Sequence, residues 1–336
     1  MKRDDAVDEN DPSRSACRRL RGVQSTLRLP GPIQRRLEAA ALELLQPTGT
    51  ARPQDFAQPA GEPALTAPDS VSWQVFKNPL VLFIGGATAV VLELAEPRVR
   101  TGVWQHTSFR EQPLARMQRT GLAALMTVYG PRSRAEALIA SVARMHERID
   151  GVTPGGQRYR ATEPELLDWV HATASFGFLE ACETYVRRLD DDAGDRYYAE
   201  GRPAALLYGA GGAPRSRAEL HALFDAMQPK LERSDIVFEF LRIMAGAPLL
   251  PGPMRWMQPL LVKAAVEITP QRVRERLGLD ACWDLRPWQR ALVTQVARLA
   301  DRLMLCSSPP VQSCRRLGLP DDYLYSMAPR PRMAGR

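Results

Sequence analysis

Lysine, histidine and cysteine are all scarce in this chain of 336 residues, and each shortage removes a class of function. The only lysines are Lys2, Lys77, Lys230 and Lys263, so nearly all of the 45 cations are arginines. Those arginines are scattered among acids, as in Arg134-Ala-Glu136 and Glu147-Arg148. A nucleic-acid footprint is a dense basic stripe, so the net charge of +7 does not predict a nucleic-acid partner. The five cysteines, Cys17, Cys182, Cys282, Cys306 and Cys314, are odd in number and contain no CxxC pair. That excludes a disulfide framework and a cysteine zinc site, and reads as free thiols in a reducing compartment. No HExxH and no nucleophile elbow occur, and Gln105-His106-Thr107-Ser108 is the nearest thing to a base beside a nucleophile. Gly85-Gly86 and Gly209-Ala-Gly-Gly212 lack the strand-then-helix setting of a phosphate loop and read as close packing or turns. The longest apolar run, Leu80 to Leu92, is about 13 residues, short of the roughly 20 that cross a bilayer, so no transmembrane segment is expected. The opening Met-Lys-Arg-Asp-Asp lacks the apolar core of a secretory signal, and the expected location is cytoplasmic. Transient contact with a membrane surface stays open.

What is present describes a helical protein. A hydrophobic content of 45% with 25% charged residues is ordinary for a soluble domain. A chain of this length is able to enclose an internal cavity. Residues 1–70 are rich in Pro, Asp, Gln and Arg and read as an N-terminal extension. It holds one helical island after Pro32, with Ile33, Leu37, Ala41 and Leu44 along one stripe, and a Pro-rich linker over 48–70. The folded body is expected over 71–325, with 326–336 as a tail. Within it the helical period dominates. Gly130-Pro131-Arg132-Ser133 predicts a helix capped by Ser133, with Leu138, Ile139, Val142 and Ile149 on one side. Thr162-x-x-Glu165 and Ser216-x-x-Glu219 have capping-box spacing. The first opens a helix with Leu167, Val170, Ala174 and Phe178 inward. Further helices are expected at 234–245, 256–268, 270–277 and 287–305, with Gly151 and Gly278 near helix ends. Asp190-Asp191-Asp192 reads as an exposed loop. Only Ile236 to Leu241 is ambiguous between helix and strand. The expected fold is all-α, one large helical domain behind a Pro-rich extension.

Four histidines occur, and two of them fall on the apolar side of their own predicted helices. His146 lies about 20° from Ile139 and about 40° from Val142 around the helix axis. His171 lies about 40° from Leu167. A histidine pointed at a core needs a hydrogen bond or a metal, so each is either a core residue bonded to a carbonyl or a ligand. Arg116 and Thr120, four apart, share a helix face that Arg119 flanks. Leu114, Leu122, Ala124 and Leu125 surround them, which sets the group apart from an open charged face.

Several blocks recur in a known order: Val103-Trp-Gln-His106-Thr, Arg116-x-x-Arg119-Thr120, Tyr129-Gly130 and His146-Glu-Arg-Ile-Asp-Gly151. Tyr159-x-Ala161-x-Glu163-Pro164 running on to Trp169-Val170-His171, then Asp195-Arg-Tyr-Tyr, complete the series. From about Ser72 to about Leu324 the chain resembles the MpaB/rubber-oxygenase catalytic domain family, which includes latex-clearing protein. The resemblance implies a globin-like helical core that binds haem b and uses dioxygen to cleave carbon–carbon double bonds of isoprenoid chains. It implies that His146 is the proximal iron ligand, that Arg116, Arg119 and Thr120 form the distal, haem-supporting and catalytic group, and that His106 and His171 support cofactor binding. A ligating imidazole also calls for an acceptor on its second nitrogen. The rubber enzymes have lysine where this chain has Arg119, and many relatives have histidine where it has Glu96. Rubber-degrading members carry secretion signals, so a smaller unsaturated lipid or terpenoid is the expected substrate here. Two other readings use the same helices: a non-catalytic haem carrier or sensor, and a haem-free module for an apolar ligand. Oligomeric state is not legible.

Overall fold

The computed structural model describes residues 26–27, 34–39, 54–107, 109–250 and 252–326. Helix α1 covers 34–39 within the expected island; Ile33, Ala41, Leu44 and Cys17 lie outside the described residues, as does 327–336 of the expected tail. The all-α expectation holds. In order follow α2 (Val71–Phe76), α3 (Pro79–Ala95), α4 (Pro97–His106), α5 (Pro113–Tyr129), α6 (Arg132–His146), α7 (Pro164–Tyr185), α8 (Asp191–Tyr208), α9 (Arg217–Met227), α10 (Asp235–Gly246), α11 (Gln258–Glu267), α12 (Gln271–Leu277), α13 (Pro287–Arg302), α14 (Pro309–Arg316) and α15 (Tyr323–Ser326). Proline opens many of them, where its fixed φ suits the first turn and its missing N–H costs nothing. The ambiguous Ile236 segment is helix, inside α10.

The core is organised by α3 against α7. A Cβ added to Gly85 would lie 2.7 Å from the carbonyl oxygen of Gly177, so the two backbones touch where they cross. Gly86, next in sequence, has nothing closer than 3.9 Å. Only the first glycine is therefore required by packing. Helix α3 is started by Asn78, whose side chain accepts from Leu80 N and Val81 N. It stops at Glu96, whose backbone is extended and whose carboxylate accepts from Val99 N at 2.8 Å, starting α4. That same carboxylate binds Arg98, which also reaches Glu163 and Glu165 at the head of α7. Among the described residues no single helix is long and apolar enough to cross a membrane; α3 and α4 pass that test only as a pair bent by 111°.

Several local expectations are corrected. The 48–70 linker is packed onto the body from at least Phe56: Phe56, Ala64 and Leu65 are buried, and the buried Arg316 guanidinium donates to Phe56 O, Glu62 O and Tyr129 O. Proline there shapes an adherent strap. Ser133 is not a cap; α6 begins at Arg132 behind Pro131. Thr162 does not cap α7, which starts at Pro164 behind Glu163, while Ser216 does cap α9. Asp190 caps α8 by accepting from Ala193 N, and Asp191 and Asp192 fill its first turn, where acids complement the helix dipole. Gly278 ends α12 with φ +70°, as expected, but Gly151 lies in a hairpin that sequence periodicity does not reveal. Its strands β1 (Asp150–Val152) and β2 (Arg158–Arg160) are only three residues each, too short for an alternation to register. Consequently α6 ends at His146, and Ile149 belongs to the turn. On α7 the deepest face is Leu166, Trp169 and Thr173, while Leu167, Val170 and Ala174 are half-buried.

Candidate haem site

The half-buried residues are not scattered. Helix α3 is otherwise among the most enclosed elements, yet Phe83, Gly86, Val90 and Glu93 are only half-buried, at three- and four-residue spacing. Those four form one stripe, and Glu93 at its end interacts electrostatically with Arg116 of α5. Helix α7 has Val170, His171 and Ala174 half-buried in the same way. In α6 only Ala135 and Ile139 are fully buried, while Val142, Ala143 and His146 in its second half are half-buried. The half-buried stripes of α3 and α7, with Arg116 of α5 and His146 of α6, mark the candidate groove.

On α5, Arg116 donates from Nη1 to Thr120 Oγ1 at 2.8 Å, and Thr120 donates its hydroxyl proton to the Arg116 carbonyl at 3.0 Å. The helical four-residue offset makes this loop, and it fixes the guanidinium against its own helix. Burial pushes the Arg116 pKa down, Glu93 pushes it up and Arg119 pushes it down, so three charged groups lie within reach of one another. Glu93 is raised to about 7, chiefly by burial, with Arg116 partly offsetting that. The His146 pKa is lowered by burial and by Arg116. Its ring is therefore neutral at physiological pH, the form that ligates metal. His146 Nδ1 is buried with no hydrogen-bond partner among the described residues. Among the described residues the ring makes no hydrogen bond, so the acceptor expected for a ligating imidazole is not among them.

The structure places the six anticipated residues unequally. Arg116, Thr120 and His146 come together with Glu93, and Arg119 is exposed on the same helix and within electrostatic range of Arg116. His171 stands apart in the apolar wall: a Cβ on Gly201 of α8 would lie 3.5 Å from its Nε2. Burial pushes its pKa down to about 4. His106 is exposed at the last residue of α4 and is not brought to the group. Glu96, where many relatives have histidine, is buried as the cap of α4 and has no access to the groove. Glu93 escaped the sequence reading. The signal was there, since it is the one charged side chain in an otherwise apolar helix.

Among the described residues no three His, Cys, Asp or Glu side chains gather to cage a metal ion. A porphyrin brings four nitrogens of its own and asks the protein for one neutral imidazole. His146, with an orphaned buried nitrogen at the edge of an apolar groove and a guanidinium close by, fits that demand. A separate cleft of about 390 Å³ between α11 and α13, lined by Glu267, Leu285, Arg290 and Thr294, carries none of these groups. Its two charged groups are already engaged, since Glu267 accepts from Tyr185 and pairs with Arg290.

No curated protein and no solved structure matches the chain. The family described as ER-bound oxygenase mpaB/B'/rubber oxygenase, catalytic domain, matches residues 73–302, which contain the α3–α7 crossing, Glu93, Arg116, His146 and His171. With more than half its length matched, the chain belongs to that oxygenase catalytic-domain family.

Proposed function

We propose that the protein is a haem b-dependent oxygenase that uses dioxygen to cleave or oxygenate an unsaturated hydrophobic substrate of isoprenoid or lipid-like type. The observation that carries this reading is the neutral, unpartnered imidazole of His146 beside Arg116 in a groove of an oxygenase catalytic domain. His146 would hold the iron. When bound, the haem supplies the binding and activation of dioxygen.

The chain's own residues supply the rest. Arg116 places a permanent positive charge and N–H donors in a desolvated setting, where they act more strongly than in water. Thr120 holds that guanidinium in one orientation. Glu93 sits near half-protonation at neutral pH, so its carboxyl group either holds or accepts a proton beside Arg116. Arg119, where the rubber enzymes have lysine, sets a second guanidinium within electrostatic range of Arg116. Val90, Val170 and Ala174 present an apolar wall that excludes water and suits an alkene. His171 stays neutral in that wall and loads no charge onto it. The free thiols at Cys182, Cys282, Cys306 and Cys314 support a cytoplasmic location.

The test is dioxygen uptake by the haem-loaded chain with an unsaturated isoprenoid, assayed with carbonyl product formation. Arg116→Ala and the Arg116→Ala/Arg119→Ala double variant are expected to keep haem and lose turnover. Full turnover in both would remove the distal role. Haem binding without uptake on any unsaturated substrate would assign the protein to haem carriage or sensing.

A further inference from the structure

The unit formed by the end of α6 and the hairpin presents a face that neither the packing nor the proposed chemistry uses. In the hairpin Gly151 pairs with Tyr159, Val152 with Arg158, and Asp150 with Arg160. Tyr159 is buried, and a Cβ on Gly102 of α4 would lie 3.3 Å from its ring. The two-residue period therefore turns Asp150, Val152, Arg158 and Arg160 to the outside. Arg144, Met145 and Arg148 are exposed on the adjoining turn of α6 and the residues after it. Met145 is 52% exposed and Val152 is 50% exposed, a large aliphatic surface to leave in water on so small a unit.

None of these four arginines has an ion pair or a side-chain hydrogen bond among the described residues. Arg98, Arg110, Arg215, Arg217, Arg274 and Arg315 elsewhere in the fold are all paired. The carboxylates on the unit are Glu147 and Asp150, both exposed, and nearby Glu163 is already engaged by the Arg160 N–H and by Arg98. Cations are thus in excess, set around two aliphatic side chains.

We infer that this face docks on an anionic bilayer surface. Guanidinium forks match phosphate oxygens in pairs, and aliphatic side chains between them reach the hydrocarbon just below the headgroups. A bilayer offers both in one plane, which the patch requires and a uniformly acidic protein surface does not provide. His146 lies between Met145 and Glu147 in sequence, so the candidate site and the docking face share one end of α6. The inference stands on the surface alone and survives or fails independently of the haem.

The experiment is co-sedimentation of the full chain with phosphatidylcholine vesicles, with and without phosphatidylserine. Binding is expected only with phosphatidylserine, and weaker as salt rises. Arg158→Glu/Arg160→Glu should reduce it at least 20-fold, at about fivefold for each arginine lost. Arg144→Glu/Arg148→Glu tests the same face from α6 if the hairpin variant does not fold. Arg242→Glu on α10 is the control and should bind as the parent chain does. Failure to bind anionic vesicles, parent-like binding by the folded arginine variants, or an equal loss in Arg242→Glu would each overturn the proposal. Retention on an acidic protein with no vesicle binding would overturn it too, and assign the face to a protein partner.

Discussion

Replacing Glu93 by glutamine should stabilise the protein above neutral pH and do little in acid. An ordinary glutamate has a pKa of 4.5, and burial in α3 raises this one to about 7. The folded state therefore holds the proton more tightly than the unfolded chain does. Its contribution to stability is fully present below pH 4.5 and is lost as pH rises through 7. A shift of that size corresponds to about 3 kcal/mol, already net of the attraction to Arg116. Glutamine keeps the volume of the protonated acid and never ionises. At pH 8 the Glu93→Gln variant should therefore gain about 3 kcal/mol, or roughly 6–12 °C in melting temperature for a domain of this size. At pH 4.5 the two proteins should melt together. Thermal melts of both across that range decide it. If the variant is no more stable at pH 8, or is less stable there, then Glu93 is not the desolvated acid described above and its place as a proton-holding group is lost.

Further consequences are as specific. Gly85→Ala should cost about 3 kcal/mol or more in urea denaturation, because the added methyl meets the Gly177 backbone. Gly86→Ala, with nothing within 3.9 Å, should instead gain roughly 0.5–1 kcal/mol from helix propensity. Arg316→Met should cost about 3 kcal/mol by stripping the Phe56 and Glu62 carbonyls of their guanidinium donor, while Tyr129 O keeps the Ser313 hydroxyl, and proteolysis should then reach the 54–65 strap first. His171, lowered from 6.5 to about 4 by burial, should make the fold lose about 3 kcal/mol as pH falls from 6.5 to 4. His171→Leu should flatten that acid limb, and an unchanged limb would show that the ring is not enclosed.

The helical architecture was legible because long apolar periods and proline starts survive in the sequence. The ends of α12 at Gly278 and α9 at Ser216 were legible for the same reason, since cap residues act locally. The hairpin was not, because three-residue strands held by Tyr159 packing on Gly102 leave no periodic trace. Nor was the strap over 54–65, whose proline content resembles a linker until Arg316, about 250 residues later in sequence, anchors it. At the site, spacing placed Arg116 with Thr120, because that contact is made within one helix. It could not bring Glu93 to Arg116, which depends on how α3 meets α5. Periodicity also put His171 and His146 on equal terms, whereas only His146 adjoins Arg116. His106 shared a motif with neighbours that pack inward, yet its side chain emerges at a helix end into solvent.

The proposed function turns on the His146 imidazole holding a haem iron. Absorption spectra of the haem-loaded full chain, oxidised and reduced, test it most directly. The parent protein should show a Soret band of an imidazole-ligated haem, His146→Gly should lose it, and added imidazole should restore it. A His146→Gly protein that retains haem with an unaltered spectrum would refute that ligation.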